Sequence, residues 1–158
     1  MNSQPVTKEG YVKLKDELNL LTKEKRPNII EKIAEARSHG DLSENAEYHA
    51  AREEQGFLEA RIKYLESVLS NCEVVNPEDF TYEDRVLFGA TVTIYDETDD
   101  REIKYQVVGE PESDIEKGKL SVTSPIGRAI IGKEMGDQCR IQTPSGKRTI
   151  EIMEVEYI

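Results

Sequence analysis

Residues 38–49 read SHGDLSENAEYH, and this polar stretch separates two long patterns of apolar residues. The pattern before it recurs every three or four residues at Tyr11, Leu14, Leu18 and Leu21, and after Pro27 a helical stripe with a shifted phase follows at Ile29, Ile30, Ile33, Ala34 and Ala36. The pattern after it has the same spacing: Ala51, Gln55 as a polar member, Leu58, Ile62, Leu65 and Leu69. Such spacing predicts two helices, each about 30 residues and roughly 45 Å long. Because only a short turn joins them, we predict an antiparallel coiled-coil hairpin.

The ends of both helices carry local signals. Thr7 is a good N-cap for the first helix, and Pro27 predicts a kink or a change of register within it. Gly40 is suited to the left-handed position that ends a helix. The second helix is predicted to start at Asp41 or a few residues later and to end near Asn71.

Beyond the hairpin the apolar pattern changes to a period of two, which predicts strands. Strands are expected at 86–88 with 90–95, at 103–108, 119–123, 138–143 and 149–157. Ser124, Pro125 and Gly132 mark a short helix between the third and fourth of these regions. The fold class is therefore α+β: an N-terminal antiparallel coiled-coil helical hairpin, then a small antiparallel sheet with one short helix. The predicted domains are a hairpin at 1–75, a linker at 76–84 and a sheet domain at 85–158.

Charge and composition exclude several classes of protein. Of the formal net charge of −11, residues 1–72 carry about −2 and residues 73–158 about −9, so the second half should repel nucleic acid. Cys72 and Cys139 form no disulfide framework, which suits a reducing compartment. No apolar run approaches a membrane span, and the start of the chain lacks a signal-peptide pattern. We therefore expect a soluble, cytoplasmic protein without a membrane partner.

Asp41 and Glu44 in the turn admit two interpretations. Their spacing matches a capping box, in which Asp41 accepts from the backbone and Glu44 reaches back, and spacing alone favours this structural role. The same carboxylates are ligands that Mg²⁺ prefers. Two carboxylates on an exposed turn would hold the ion weakly and would need further ligands from a partner and a phosphate chain. The two roles are compatible, since a cap can rearrange when a metal arrives.

Other polar residues near the turn carry weaker signals. His39 and His49 lie ten residues apart on different helices, so we favour solvated or packing roles over metal binding. Arg37 and Arg52 flank the turn, one on each arm, and could bind phosphate. Ordinary salt bridges to Glu35, Glu47 or Glu53 are the alternative, and spacing alone favours them. The chain has no phosphate-binding glycine loop, zinc signature or Ser-His-Asp motif, so we expect no autonomous active site.

Three segments closely resemble the bacterial Gre transcript-cleavage factors, of the GreA type. They are GDLSENAEYHAAREEQGFLEARI at 40–62, FGATVTI at 88–94 and SPIGRAIIGKEMGD at 124–137. The resemblance covers nearly the whole chain. It implies that the C-terminal domain is similar to FKBP-type prolyl isomerases and docks on RNA polymerase, whose secondary channel the hairpin enters.

The resemblance also implies roles for individual residues. Asp41 and Glu44 match the acidic pair that helps hold a second Mg²⁺ in the polymerase, which then hydrolyses backtracked RNA near its 3′ end. Arg37 and Arg52 match a basic patch that contacts the extruded nascent RNA. A loop that matches the polymerase-docking region contains Ser124, Pro125 and Ile126.

Two other functions remain open at this point. A non-catalytic protein could occupy the same channel and regulate the polymerase, with the acidic turn serving only as a cap. The sheet domain could also be a working prolyl isomerase, although that class usually needs an aromatic pocket and residues 85–158 contain few aromatic residues.

Overall fold

The computed structural model describes residues 4–40, 45–80 and 84–158. The chain divides into two compact units. The helical unit is Val12–Asn71, and the sheet unit combines residues up to Tyr11 with those from Cys72 to Ile158. The predicted hairpin boundary of 1–75 therefore differs at both ends, because short segments on either side of the hairpin belong with the sheet.

Four helical segments build the hairpin and the chain leading into it. Helix α1 is Lys8–Leu20, a π-helical turn covers Leu21–Lys25, α2 is Arg26–Arg37 and α3 is Ala46–Ser70. The π-helical turn directly precedes Pro27, which lies in the first turn of α2. Because proline cannot donate a backbone hydrogen bond, a wider turn before it accommodates the lost bond. The predicted change of register near Pro27 is confirmed.

The predicted apolar seam lies largely inside the helical unit. Its buried residues are Leu14, Ile29, Ile33, Ala36, Ala51, Ile62, Leu65 and Val68. Three details of the prediction are wrong: Ile30 is 53% exposed, Ala34 is exposed, and Val68 rather than Leu69 is the buried residue near the end of α3. A seam of two positions in every seven excludes side chains one position out of phase, which explains these differences.

Ion pairs establish that the two arms of the hairpin run antiparallel. Glu17 pairs with Arg61, Arg26 with Glu59 and Lys32 with Glu54. The paired residues on α3 lie progressively nearer its start as their partners lie further along the first arm. The predicted antiparallel hairpin and the α+β class are confirmed.

The sheet unit contains a five-stranded sheet with one short helix. Its strands are β3 (Thr91–Asp96), β4 (Arg101–Val108), β5 (Lys119–Ser121), β6 (Gln138–Thr143) and β7 (Gly146–Glu156), in the order β5-β4-β3-β7-β6. Helix α4, Pro125–Ile130, packs with the apolar core of this unit. The core includes Val92, Ile94, Val107, Ile130 and Ile152, all at most 1% exposed. The similarity of this unit to FKBP-type prolyl isomerases stays a prediction.

The sequence had suggested a wholly antiparallel sheet, but one strand pairing is parallel. Strand β5 pairs with β4 in parallel, while the other pairings are antiparallel. The connection from β4 to β5 contains two 3₁₀ turns, Glu110–Glu112 and Ile115–Lys117, which bring the chain back to run in the same direction. Residues 86–88 precede the sheet and form no strand of it.

A second, two-stranded sheet was not predicted. Strand β1, Gln4–Thr7, pairs in parallel with β2, Cys72–Val75, so the chain on the two sides of the hairpin is joined. The predicted linker at 76–84 is partly structured, since Pro77–Phe80 forms a 3₁₀ turn with Pro77 buried. Among the described helices none is both long enough and apolar enough to cross a membrane.

Candidate functional site

The two carboxylates predicted as metal ligands, Asp41 and Glu44, lie outside the described residues. The candidate site is therefore built from the residues that flank them, at the end of α2 and the start of α3. Gly40, just before the segment 41–44, has a φ of +131°, a backbone conformation that glycine adopts without steric cost. The expected positive φ at Gly40 is thus present, but the helix ends earlier, at Arg37, and its C-cap is Ser38 in a right-handed conformation.

Asn45, just after the segment, links the two helices. Its Oδ1 accepts a hydrogen bond from the backbone N–H of Tyr48 at 3.0 Å, so it is the N-cap of α3. Its Nδ2 donates to the backbone carbonyl oxygen of Ala36 at 2.5 Å, in the last turn of α2. Ala36 itself is 3% exposed. One side chain therefore caps α3 and satisfies a carbonyl at the end of α2.

The N-cap of α3 is therefore Asn45 and not the predicted Asp41, whose own contacts lie outside the described residues. The sequence offers several good capping residues in a row, and propensity alone barely separates Asp from Asn. The structure uses Asn45 because an amide carries both an acceptor and a donor, whereas an ionised carboxylate only accepts. The contact with Ala36, nine positions earlier, is the signal that sequence spacing could not supply.

Tyr48 contacts two other polar residues of this region, Arg37 and His49. The guanidinium carbon of Arg37 lies 5.9 Å from the centroid of the Tyr48 ring, a cation–π distance. The ring of His49 meets the same tyrosine edge-on, with centroids 5.5 Å apart. Both histidines of the chain are exposed, in keeping with the solvated role that we favoured for them.

Arg37 and Arg52 contact different neighbours. Arg37 lies on Tyr48, and Nη1 of Arg52 donates to Oε1 of Gln55 at 3.1 Å on the exposed side of α3. Within the described part of the chain, neither arginine pairs with Glu35, Glu47 or Glu53, so the predicted salt bridges are not formed. Both guanidinium groups remain suited to phosphate.

The stem below this region is held by paired charges. Arg61 binds both carboxylate oxygens of Glu17, at 2.7 and 2.9 Å, and Arg26 binds Glu59 in the same way. The hydrogen bonds from Arg61 lower the pKa of the Glu17 carboxyl, and those from Arg26 lower the pKa of Glu59. Both carboxyls are therefore ionised at neutral pH.

The residues predicted to dock on the polymerase form the start of α4. The Ser124 hydroxyl accepts from the N–H of Gly127 at 3.1 Å and donates to the carbonyl of Ser121 at 2.6 Å. A Cβ at Gly127 would lie 2.2 Å from that same carbonyl oxygen, so the turn is closely packed. Pro125 is exposed and Ile126 half-buried, which leaves a rigid surface that a partner could contact.

The described residues contain no alternative catalytic centre that we can identify. Across 4–40, 45–80 and 84–158, no group of three or more His, Cys, Asp or Glu side chains could hold a metal ion. Neither Cys72 nor Cys139 forms a disulfide, and burial raises the pKa of Cys139, which makes it a poor nucleophile.

Comparison with known proteins gives matches over both units. Residues 4–74 match the family model of the transcription elongation factor N-terminal domain, and residues 81–157 match that of the GreA/GreB C-terminal domain. The chain is 53% identical over 157 residues to transcription elongation factor GreA of Alkalilimnicola ehrlichii, with 99% of each chain covered. It is 52% identical over 158 residues to that of Thioalkalivibrio sulfidiphilus, covering 100% of both.

Proposed function

The chain belongs to the GreA/GreB family of transcription elongation factors, and we propose that it binds bacterial RNA polymerase and stimulates Mg²⁺-dependent cleavage of backtracked nascent RNA. In this proposal the factor by itself is not an enzyme. It supplies Asp41 and Glu44 to the active site of the polymerase and so rescues arrested complexes.

The observation that carries the proposal is the hairpin and the way its turn is held. By residue count the first arm, Lys8–Arg37, is about 45 Å long and the second, Ala46–Ser70, about 38 Å, which suits a stem that reaches into a channel. Asn45 joins the arms beside the segment that contains Asp41 and Glu44. The acidic pair thus belongs to the far end of a stem whose last turns are fixed to each other.

The donor set fits a hard divalent cation. Asp41 and Glu44 offer carboxylate oxygens, and Mg²⁺ typically takes one or two carboxylates together with phosphate oxygens and water. When bound, a second ion supplies stabilisation of the attacking or leaving oxygen in phosphodiester hydrolysis. The carboxylates contribute by being delivered in place, which raises their effective concentration near the RNA.

Charge suits the other contacts of the proposal. Arg37 and Arg52 lie on the two arms near the turn, where they could contact RNA phosphates. The sheet unit is strongly acidic, so its partner should be a neutral or basic protein surface, with Ser124, Pro125 and Ile126 as the contact.

The test is RNA cleavage by arrested elongation complexes. Asp41→Ala and Glu44→Ala should each abolish stimulated cleavage and leave polymerase binding nearly intact, because both side chains act at the turn and not at the docking surface. Normal cleavage by both variants would refute the metal role. A factor that binds the polymerase without stimulating cleavage would instead be a non-catalytic regulator of the channel.

A further inference from the structure

We propose that Asn45 is a positioning residue for the acidic turn, acting through its side-chain amide as a splint between α2 and α3. The inference rests on the proposed function, since it concerns how Asp41 and Glu44 are held for cleavage. The capping role alone does not require this splint, because the cap uses Oδ1 of the amide and the splint uses Nδ2.

The geometry separates these two roles. Oδ1 of Asn45 accepts from the N–H of Tyr48 at 3.0 Å, which any good N-cap side chain could do. Nδ2 donates to the carbonyl of Ala36 at 2.5 Å, across the gap between the helices. That carbonyl also accepts from the N–H of His39 at 3.2 Å, so the splint is attached to the closing turn of α2.

Chemistry restricts which side chains can fill both roles. Aspartate keeps the acceptor but has no donor, and its charge would face the carbonyl of Ala36. Serine caps well but is shorter by one atom. Asparagine alone among the common N-cap residues has an acceptor and a donor on two arms of one planar group.

The splint matters because of where it lies in the sequence. Glu44 is bonded directly to Asn45, and Asp41 directly to Gly40. The bond to Ala36 fixes the residue directly after Glu44 relative to the last turn of α2. A displacement of about 1 Å in a catalytic group can cost on the order of 100-fold in rate, so restraint at this point affects chemistry more than binding.

The experiment compares three substitutions of Asn45 in the full chain. Asn45→Asp and Asn45→Ser keep a cap and lose the splint, and Asn45→Ala loses both. Cleavage of backtracked RNA is measured against factor concentration, which gives the maximal rate and the half-saturating concentration separately. Asn28→Asp, at an exposed position on α2, is the control for added negative charge on the stem.

We expect Asn45→Asp and Asn45→Ser to lower the maximal rate by about 10-fold or more while the half-saturating concentration changes less than about twofold. Asn28→Asp should match the unaltered chain. A purely capping role predicts near-normal cleavage for both capped variants and a defect only in Asn45→Ala.

Other results would overturn the inference. A defect in Asn45→Asp with normal Asn45→Ser would assign the effect to the added charge. If Asp41→Ala were inactive while both capped Asn45 variants cleaved normally, the splint would fail and the proposed function would stand. If the unaltered chain gave no stimulated cleavage, the proposed function would fail and the inference with it.

Discussion

Helices α1 and α3 begin in the same way locally and differ in what holds the cap. Thr7 Oγ1 accepts from the N–H of Gly10 at 3.0 Å, and Asn45 Oδ1 accepts from that of Tyr48 at 3.0 Å. The cap of α3 is then tied to Ala36, nine residues away. The cap of α1 is tied to Glu112, 105 residues away, whose carboxylate accepts from both the N–H and the hydroxyl of Thr7.

The two starts also differ in burial. Thr7 is 3% exposed and Gly10 is buried, with the Glu112 carboxylate placed where a side chain at Gly10 would lie. Asn45 is only half-buried. The difference teaches that the cap of α1 joins segments far apart in the sequence of the sheet unit, whereas the cap of α3 joins only the two neighbouring helices.

The largest expected effect is that of Gly10→Ala. A Cβ there would lie 2.1 Å from Oε1 of Glu112, and the carboxylate could move away only by giving up its bonds to Thr7. We expect a loss of about 2–3 kcal/mol in the free energy of unfolding of the sheet unit, measured by exchange of its slowest amide hydrogens.

Gly56 provides the matched control. It lies within α3, and apart from the backbone of its own helix and its chain neighbours no heavy atom lies within 4 Å of where a Cβ would be. Gly56→Ala should stabilise the helical unit by up to about 1 kcal/mol, the ordinary difference in helix propensity. Equal effects at both glycines would show that the Glu112 carboxylate does not obstruct a side chain at Gly10. In a Glu112→Ala background, Gly10→Ala should cost much less, since the carboxylate is gone and only the Cβ of residue 112, at 3.1 Å, remains close.

The second expected effect is that of Glu112→Ala alone. It leaves the buried N–H of Thr7 without its acceptor at 2.7 Å and should cost about 1–3 kcal/mol in the same measurement. Glu112→Gln should cost less, because its amide oxygen can still accept from Thr7 and its nitrogen can donate to the hydroxyl. Equal losses for Gln and Ala would show that the charge, and not the hydrogen bonds, is what holds α1.

This contrast also explains which features the sequence could predict. Thr7 was found as a cap because the signal lies within three residues, whereas Glu112 has no local signature. The strand β1 was missed for a related reason: Gln4–Thr7 shows no alternation, and its pairing depends on β2, which follows the hairpin. Helices with heptad spacing and strands such as β6 and β7 were predicted well because their patterns are local.

The candidate site was predictable to a smaller extent. The acidic pair, the flanking arginines and the start of α4 were identified from residue type and resemblance, and Asp41 and Glu44 lie outside the described residues. The cap was placed on Asp41 because capping propensity ignores the donor that Asn45 uses across the turn. The partner of Arg37 was missed as well, since a cation–π contact with Tyr48 depends on how the arms meet.

The third expected effect concerns the other helix start. Asn45→Ala should raise the exchange rate of the Tyr48 amide by about fivefold, corresponding to the cost of about 1 kcal/mol for losing an N-cap. Asn45→Asp should leave that rate nearly unchanged, because a carboxylate still accepts from Tyr48. Similar acceleration in both variants would mean that the bond to Ala36, rather than the cap, orders the first turn of α3.

The smallest expected effect is the pH dependence of the stem, where exposed carboxylates are held by arginines and not by neutral donors. The pKa of Glu17 is lowered from 4.5 by Arg61, and that of Glu59 by Arg26. A carboxyl with a depressed pKa in the folded state adds stability above its unfolded pKa and loses it as the pH falls. The free energy of unfolding of the helical unit should therefore be flat from pH 7 to about 6 and decline below about pH 5.

Glu17→Gln should remove the part of the decline that Glu17 causes. Because the Glu17–Arg61 pair is partly exposed, the change in the free energy of unfolding should stay below about 1 kcal/mol. Glu31→Gln, at an exposed position on α2, is the matched control and should leave the slope unchanged. Identical slopes for the two variants would mean that solvent screens the Glu17–Arg61 pair completely. In that case the apolar seam around Arg61, where Ile62 and Leu65 are buried, would order this part of the stem without help from the pair.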